Sequence, residues 1–444
     1  MSNTIPFAQS GSYPVRLGNV VQPLIDGEPA FRRICEAIEN ATHSVWATIA
    51  FMWPSFEMPD GRGSALDVFD RAAARGVDVR IIFWRPDADM ERWRRNAFWG
   101  SAEHTALLRE RRSGVKIRCD RAHPGFCQHQ KSWLIDAGED GETAFVGGIN
   151  LNPHSMVSPG HHGEGQNHDV YIELRGPSIV DVHHNFVQRW NEASEECWGD
   201  GSEIDLPFPT RIPAQQGNVL AQVQRTIHAG RYTDGHPAPE AAAFDIAAGE
   251  QSNFDQYCAA IDAARRSIYI ENQFIEVRDI VDRLHHALTR GVEIVALVPA
   301  EPDRPYFQDA HAALGEFQNF TLAGIMGLNS DGRRTPVYVH DKLMLIDDEW
   351  GTVGSCNLHH HSLFGNSEMN VTFSDPETVR AFRVELLQEH LAQDTSGMDD
   401  RSALRLFRQI AFENRRRFDA DDHAWQGLAF SLDAATYGRK MFKK

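Results

Sequence analysis

QHQKSWLID at residues 128–136 returns as VHDKLMLID at residues 339–347. Both stretches alternate as a β-strand does, with side chains two positions apart on one face. His129 and Lys131 therefore share a face, and so do His340 and Lys342. Asp136 and Asp347 stand an odd number of positions beyond their histidines, so on an unbroken strand they point the other way. That parity marks them as structural, closing the turn after the strand with a charge pair.

Working outward, the neighbours of this pair also occur twice and in the same order. AIENATHSVWATIAF (37–51) matches AIDAARRSIYIENQF (260–274), a helix end running into a strand. RAAARGVDVRIIFW (71–84) matches HHALTRGVEIVALV (285–298), a helix end, a Gly at its C-cap and a buried strand. After the quoted pair come FVGGIN (145–150) and TVGSCN (352–357), then HDVYIELRGPSIV (168–180) and SEMNVTFSDPETV (367–379). Five matches in one order are an internal duplication. Alternating helices and strands predict an α/β fold of two pseudo-two-fold-related α-β-α lobes. The expected organisation is residues 1–198 as an N-terminal lobe and 246–395 as a C-terminal lobe, each with one motif. Residues 199–245, rich in Gly, Pro, Ala and Gln, read as a linker with one helix. Residues 396–444 read as an Arg-rich helical packing extension.

Bulk composition narrows the function classes. The 444 residues are 42% hydrophobic and 24% charged, as in a soluble globular protein, and the net charge is −18. That balance argues against general nucleic-acid binding, whose affinity comes from neutralised phosphates. The six cysteines (Cys35, Cys119, Cys127, Cys197, Cys258, Cys356) are widely scattered with no C-x-x-C pair, so reduced, partly buried thiols are expected. Residues 1–11 lack the basic-then-apolar start of a secretory signal. No stretch approaches the ~18 apolar residues that span a bilayer. The expectation is a cytoplasmic protein touching membranes peripherally.

A His beside a Lys suits phosphoryl chemistry. Lysine places a point charge on a phosphate oxygen. Neutral histidine can attack phosphorus, and protonated histidine can donate to a leaving oxygen. One histidine cannot do both in one step, but two copies facing each other can. Asn150 and Asn357 add amide donors for a non-bridging oxygen. Gly147, Gly148 and Gly354 permit close backbone approach, and Ser355 adds a hydroxyl. A nucleophilic histidine needs an acceptor on its far ring nitrogen. Asp169 and Glu368, equivalent in the two copies, are the candidates for His129 and His340.

Two copies of H-x-K, four residues, D, followed by G-[GS]-x-N, resemble the HKD signature of the phospholipase D superfamily. HQKSWLID with GGIN and HDKLMLID with GSCN match it position for position, and IENQF (270–274), SLFGNSEMN (362–370) and RGPSIVDVHHNFVQRW (175–190) also look like this superfamily. The resemblance covers roughly residues 20–395. It implies a phospholipase D-like fold, the motifs meeting at the lobe interface, a covalent phosphohistidine, and no required metal or cofactor. It implies His129 as nucleophile, His340 as general acid and then base, and Lys131, Lys342, Asn150 and Asn357 as phosphate ligands. Asp169, Glu368, Asp136, Asp347, Gly148 and Ser355 support them. One departure concerns the Arg that many members carry before the Ser following G-S-x-N: here His154 and His361 stand there. The run His359–His361 lacks a complete ligand set at zinc spacing and reads as a phosphate-facing loop or a surface cluster.

The resemblance implies an enzyme acting on phospholipid: a phospholipase D hydrolysing or transphosphatidylating glycerophospholipid headgroups. The alternative is a cardiolipin synthase-like phosphatidyltransferase, against one version of which stands the lack of the transmembrane anchors common there. A nuclease is disfavoured by the acidic balance, and a scaffold by two intact motifs. MERWRRNAFW (90–99) mixes Arg with aromatics and could lie at an anionic membrane surface or pack as an ordinary amphipathic helix. Phe51, Met52 and Trp53 belong to the pocket mouth or to the core. A monomer suffices for a complete site.

Overall fold

The computed structural model describes residues 5–87, 102–302, 308–422 and 424–438. Residues 90–99, which the sequence reading singled out, and the end of the 396–444 extension lie outside them. Seven strands of the first half recur in the second: β1 (Arg16–Ile25), β2 (Ser44–Ile49), β3 (Asp78–Trp84), β4 (Lys116–Asp120), β5 (Ser132–Ile135), β6 (Thr143–Gly147) and β7 (Val170–Arg175). Their counterparts in the second are β8 (Val219–Ile227), β9 (Ser267–Asn272), β10 (Glu293–Leu297), β11 (Phe320–Leu328), β12 (Lys342–Ile346), β13 (Trp350–Gly354) and β14 (Glu368–Ser374). The first half runs β4-β3-β2-β5-β6-β7-β1, with β2, β3 and β4 parallel and the rest antiparallel. The second repeats it as β11-β10-β9-β12-β13-β14-β8. Even the register repeats, since Val45 faces Ile135 as Ile268 faces Ile346. The duplicated α/β lobes read from the sequence are therefore the architecture.

The copies join edge to edge, where Arg16, Leu17 and Asn19 of β1 pair with β8. β8 lies inside the stretch expected to be a linker, and among its residues 199–245 there is no helix. Val219, Ala221 and Val223 alternate with Gln222 and Gln224, a period-two pattern masked by the Gly- and Pro-rich surroundings. The C-terminal segment likewise adds a short strand, Ala429–Ser431, against β11.

Helices cover both faces. On the outer faces α1 (Gly27–Asn40) and α2 (Ala65–Ala74) share one apolar cluster, and α4 (Ser252–Ala263) and α5 (Arg278–Thr289) share its counterpart. Leu66, Phe69 and Ala72 fall at helical spacing, and Ser64 with Asp67 forms a capping box that starts α2. Gly76 and Gly291, at φ 87° and 84°, end α2 and α5, a conformation that only glycine adopts without cost. On the inner face α3 (Ile179–Asn191), α6 (Pro376–Leu391) and α7 (Asp400–Asp419) contribute to one core that draws on both halves, with Phe186, Trp190, Phe382, Leu386 and Phe407 buried together. Each such side chain contributes on the order of 1.5–3 kcal/mol, so the halves are bound by a shared core as well as a shared sheet.

Cys119 of β4 and Cys197 of the neighbouring strand Glu195–Trp198 form a disulfide, which corrects the expectation of six reduced thiols. Strand pairing brings them together across 78 residues of sequence. Cys35, Cys127, Cys258 and Cys356 are buried and free.

Candidate active site

VYVHDKLMLID is not one strand. It breaks at His340 and Asp341, between Arg334–Val339 and β12. The chain leaves its own sheet there to meet the other half: His340 N donates to His168 O at 2.8 Å. His129 N does the same toward Ser367 O at 2.9 Å. Each motif is thus docked on the residue preceding the paired carboxylate, Asp169 or Glu368, of the opposite copy.

The side chains cross in the same way. His129 Nδ1 lies 2.9 Å from Glu368 Oε2, and His340 Nδ1 lies 2.6 Å from Asp169 Oδ2. Both histidines are only 8% exposed. With Nδ1 engaged by a carboxylate, Nε2 is the ring atom left for chemistry. Lys131 Nζ donates to His129 O at 2.7 Å, and Lys342 Nζ donates to His340 O. Asn150 and Asn357 are buried, and their Oδ1 atoms have no hydrogen-bond partner among the described residues.

The glycines of the two runs explain how close the carboxylates come. A Cβ on Gly148 would stand 2.3 Å from Asp169 Oδ1, and one on Gly354 would stand 2.2 Å from Asn370 Oδ1. Ser355, equivalent to Gly148, is accommodated because the longer Glu368 receives its hydroxyl at 2.6 Å. Ser362 Oγ and Asn366 Nδ2 also donate to Glu368, at 2.5 and 3.2 Å. These two were not singled out in the sequence, although both sit in SLFGNSEMN.

Burial sets the electrostatics. It pushes His129 below its ordinary pKa, with Glu368 opposing and Lys131 and Lys342 adding to the depression. It pushes His340 down to about 4, with Lys342 assisting and Asp169 opposing. Lys131 falls to about 8, chiefly through burial, and Lys342 falls for the same reason. For Glu368 burial acts upward, but His129 and Lys131 outweigh it and hold the carboxyl below its usual range. Near neutral pH the site therefore presents two neutral imidazoles beside two lysines, ready for an anionic phosphodiester.

Asp136 and Asp347 are not in this group. Asp136 accepts from the backbone amides of Thr42, His43 and Ser44, and Asp347 from those of Arg265, Arg266 and Ser267. They clamp the loop entering β2 and β9, through backbone amides and not the expected charge pair. His154 is exposed, and His361 packs against Phe126 with ring centroids 5.4 Å apart. Of the run Phe51–Met52–Trp53, Met52 is core, while Phe51 sits edge-on to His129 at 5.9 Å and joins Trp53, Trp84 and Cys127 in an apolar wall.

A family model described as cardiolipin synthase, PLD-like domain, matches residues 34–191 and 257–390. A probable cardiolipin synthase of Bacillus subtilis, YwiE, is 26% identical over 385 residues, which cover 84% of this chain and 65% of that protein. Cardiolipin synthase A of Pseudomonas entomophila is 27% identical over 411 residues, covering 89% of this chain and 74% of its own. Among solved structures, the phosphatidylserine synthase of Haemophilus influenzae superposes with a TM-score of 0.56 over 90% of this chain and 94% of that one. At 12% identity it speaks to the fold alone. No helix among the described residues is long and apolar enough to cross a membrane.

Proposed function

Because the chain belongs to the cardiolipin synthase, PLD-like domain family, we propose that it is a phosphatidyltransferase that carries the phosphatidyl group on His129 from a glycerophospholipid donor to an alcohol acceptor. The relatives' names favour transfer over the hydrolytic phospholipase D reading. The observation that carries the mechanism is the crossed pair of His–carboxylate contacts at one buried seam.

Glu368 holds the Nδ1 proton of His129, so the Nε2 lone pair attacks phosphorus. The N–P bond forms as the P–O bond to the headgroup breaks, and His340 gives its Nε2 proton to the leaving oxygen. The incoming phosphodiester offsets Lys131 and Lys342, which raises the proton affinity of His340 toward that task. The acceptor hydroxyl then loses its proton to His340 and attacks phosphorus, and the N–P bond breaks. Lys131, Lys342, Asn150 and Asn357 hold the non-bridging oxygens. Phe51 and its apolar neighbours limit water around His129, which favours an alcohol as acceptor. The enzyme works as a monomer in peripheral contact with a membrane, with residues 1–198 as one lobe and residues 246–395, joined by the strand Val219–Ile227, as the other.

The test is a product analysis on phosphatidylglycerol vesicles with no added metal, beside a single-stranded DNA control and a His129→Ala blank. Cardiolipin and glycerol are the expected products. Phosphatidic acid as sole product would return the enzyme to hydrolysis, and cut DNA with untouched lipid would overturn the substrate class.

A further inference from the structure

Behind His340 lies a second buried cluster that the phosphodiester chemistry does not use. Asp26, directly before α1, His161 and His168 from the loop leading to β7, and Glu389 on α6 each turn one donor atom inward. Those atoms lie within 4.8 Å of one another. His161 Nε2 is 3.1 Å from His168 Nδ1, and 3.4 Å from both Asp26 Oδ2 and Glu389 Oε1. His168 Nδ1 is 2.9 Å from Asp26 Oδ1. A tetrahedral ion with ligand bonds near 2.0–2.1 Å has ligand-to-ligand edges of about 3.3 Å. The separations of His161 Nε2 from His168 Nδ1, Asp26 Oδ2 and Glu389 Oε1 fall around that length, and Asp26 turns its other oxygen to His168.

Hydrogen bonding serves this group only in part: Glu389 Oε1 accepts from Gly160 N at 2.9 Å, and His168 Nδ1 is shared between Asp26 Oδ1 and His161 Nε2. Asp26 and His161 are fully buried, and Asp26 Oδ2 has no hydrogen-bond partner among the described residues. The far edge of His168 is crowded in its turn: Nε2 lies 3.1 Å from Glu271 Oε2 and 3.3 Å from Asp341 Oδ2. Glu271 Oε1 accepts from the Tyr269 hydroxyl at 2.6 Å and lies 3.0 Å from His390 Nε2, while Glu271 Oε2 and both Asp341 oxygens find no well-aligned donor among the described residues. Three carboxylates, of Asp26, Glu271 and Asp341, therefore surround the His168 imidazole out of reach of solvent, with Glu389 beside His161 and His390 beside Glu271, and so much buried acid beside three imidazoles is costly unless a further positive charge joins it.

We propose that Asp26, His161, His168 and Glu389 bind one divalent transition-metal ion of the zinc class. Two imidazoles and two carboxylates are a donor set zinc takes tetrahedrally. With the ion on Nδ1, His168 Nε2 carries the proton and faces Glu271 and Asp341, the carboxylate–histidine–metal arrangement that orients ligating histidines. The ion ties the halves together, because Asp26, His161 and His168 come from the first and Glu389 from the second. It also braces the reaction centre without touching phosphate. The carbonyl of His168 receives His340 N, and the next residue, Asp169, holds His340 Nδ1.

The experiment is elemental analysis of the full chain purified without a histidine tag, followed by removal of metal and titration with Co²⁺. Expected are about one zinc-class ion per chain, visible bands of a tetrahedral Co²⁺ centre, and a melting temperature restored by added Zn²⁺. His161→Gln and Glu389→Gln should each lose the ion, the Co²⁺ bands and the Zn²⁺ response. A wild-type chain with only trace metal and no Co²⁺ bands overturns the site even where the variants fail to fold, and so does an ion retained in both folded variants. None of these readouts depends on lipid turnover, so the site and the transferase reading stand or fall separately.

Discussion

Glu368 of the second copy holds His129 of the first, with Oε2 2.9 Å from Nδ1, and Asp169 of the first holds His340 of the second. Neither copy supplies the carboxylate that meets its own histidine, so the proposed mechanism requires the two copies folded together. Glu368→Gln keeps the shape but removes the charge that fixes the Nδ1 proton. Turnover should fall about 10–100-fold. Because Glu368 raises the proton affinity of His129, its loss lowers the His129 pKa further. The acid limb of the kcat/KM profile should move to lower pH while the plateau drops. An unchanged limb with an unchanged plateau would remove Glu368 from the mechanism.

Gly148→Ser makes the first copy imitate the second, and the imitation should fail. The new Cβ would stand 2.3 Å from Asp169 Oδ1 and push that carboxylate off His340. Ser355 is tolerated because Glu368 is one methylene longer and takes its hydroxyl. The single change should reduce kcat by about 10–100-fold. Adding Asp169→Glu should recover part of the loss, and kcat for the two variants measures that coupling. Full activity in the single variant would show that Asp169 does not need this close approach.

Lys131 supplies an alkaline limit. Its pKa of about 8, against an ordinary 10.5, means the side chain is charged below that pH and neutral above it. Phosphate binding by the free enzyme should therefore weaken as pH rises through about 8, a limb in kcat/KM more than in kcat, because a bound anion raises the lysine pKa. Lys131→Arg stays charged throughout this range and should flatten the limb even where its plateau is lower. A kcat/KM profile from neutral pH to about pH 10 decides it, and a wild-type profile with no alkaline fall would remove this role.

The repeat, the α/β lobes and the phospholipase D-like identity were all legible in the sequence, because duplicated motifs keep their spacing whatever separates them. What escaped was long-range. Period two suggested a continuous strand through His340, but His340 N binds His168 O of the other half and breaks it. β8 hid because its alternating Val219, Ala221 and Val223 sit among turn-forming residues. Cys119 and Cys197 looked unrelated until strand pairing joined them. Ser362 and Asn366 lay in the family-like run SLFGNSEMN, but their role as donors to Glu368 became legible only when the fold turned them onto its carboxylate.

The last letter of the signature motif is where chemistry and architecture part. Asp347 receives three backbone amides, from Arg265, Arg266 and Ser267, and its own φ is 58°. Asn tolerates that backbone conformation, so Asp347→Asn removes charge and one acceptor without forcing a new turn. The amides of Arg265 and Arg266 are served by different oxygens, and an amide side chain has only one to offer. The variant should lose about 1–3 kcal/mol of stability, read from denaturant midpoints, while kcat per folded molecule changes less than about twofold. Asp136→Asn should cost less, because the amides of Thr42, His43 and Ser44 all reach Oδ1, the one acceptor an amide side chain keeps. A collapse in kcat at unchanged stability would place this carboxylate in the chemistry after all.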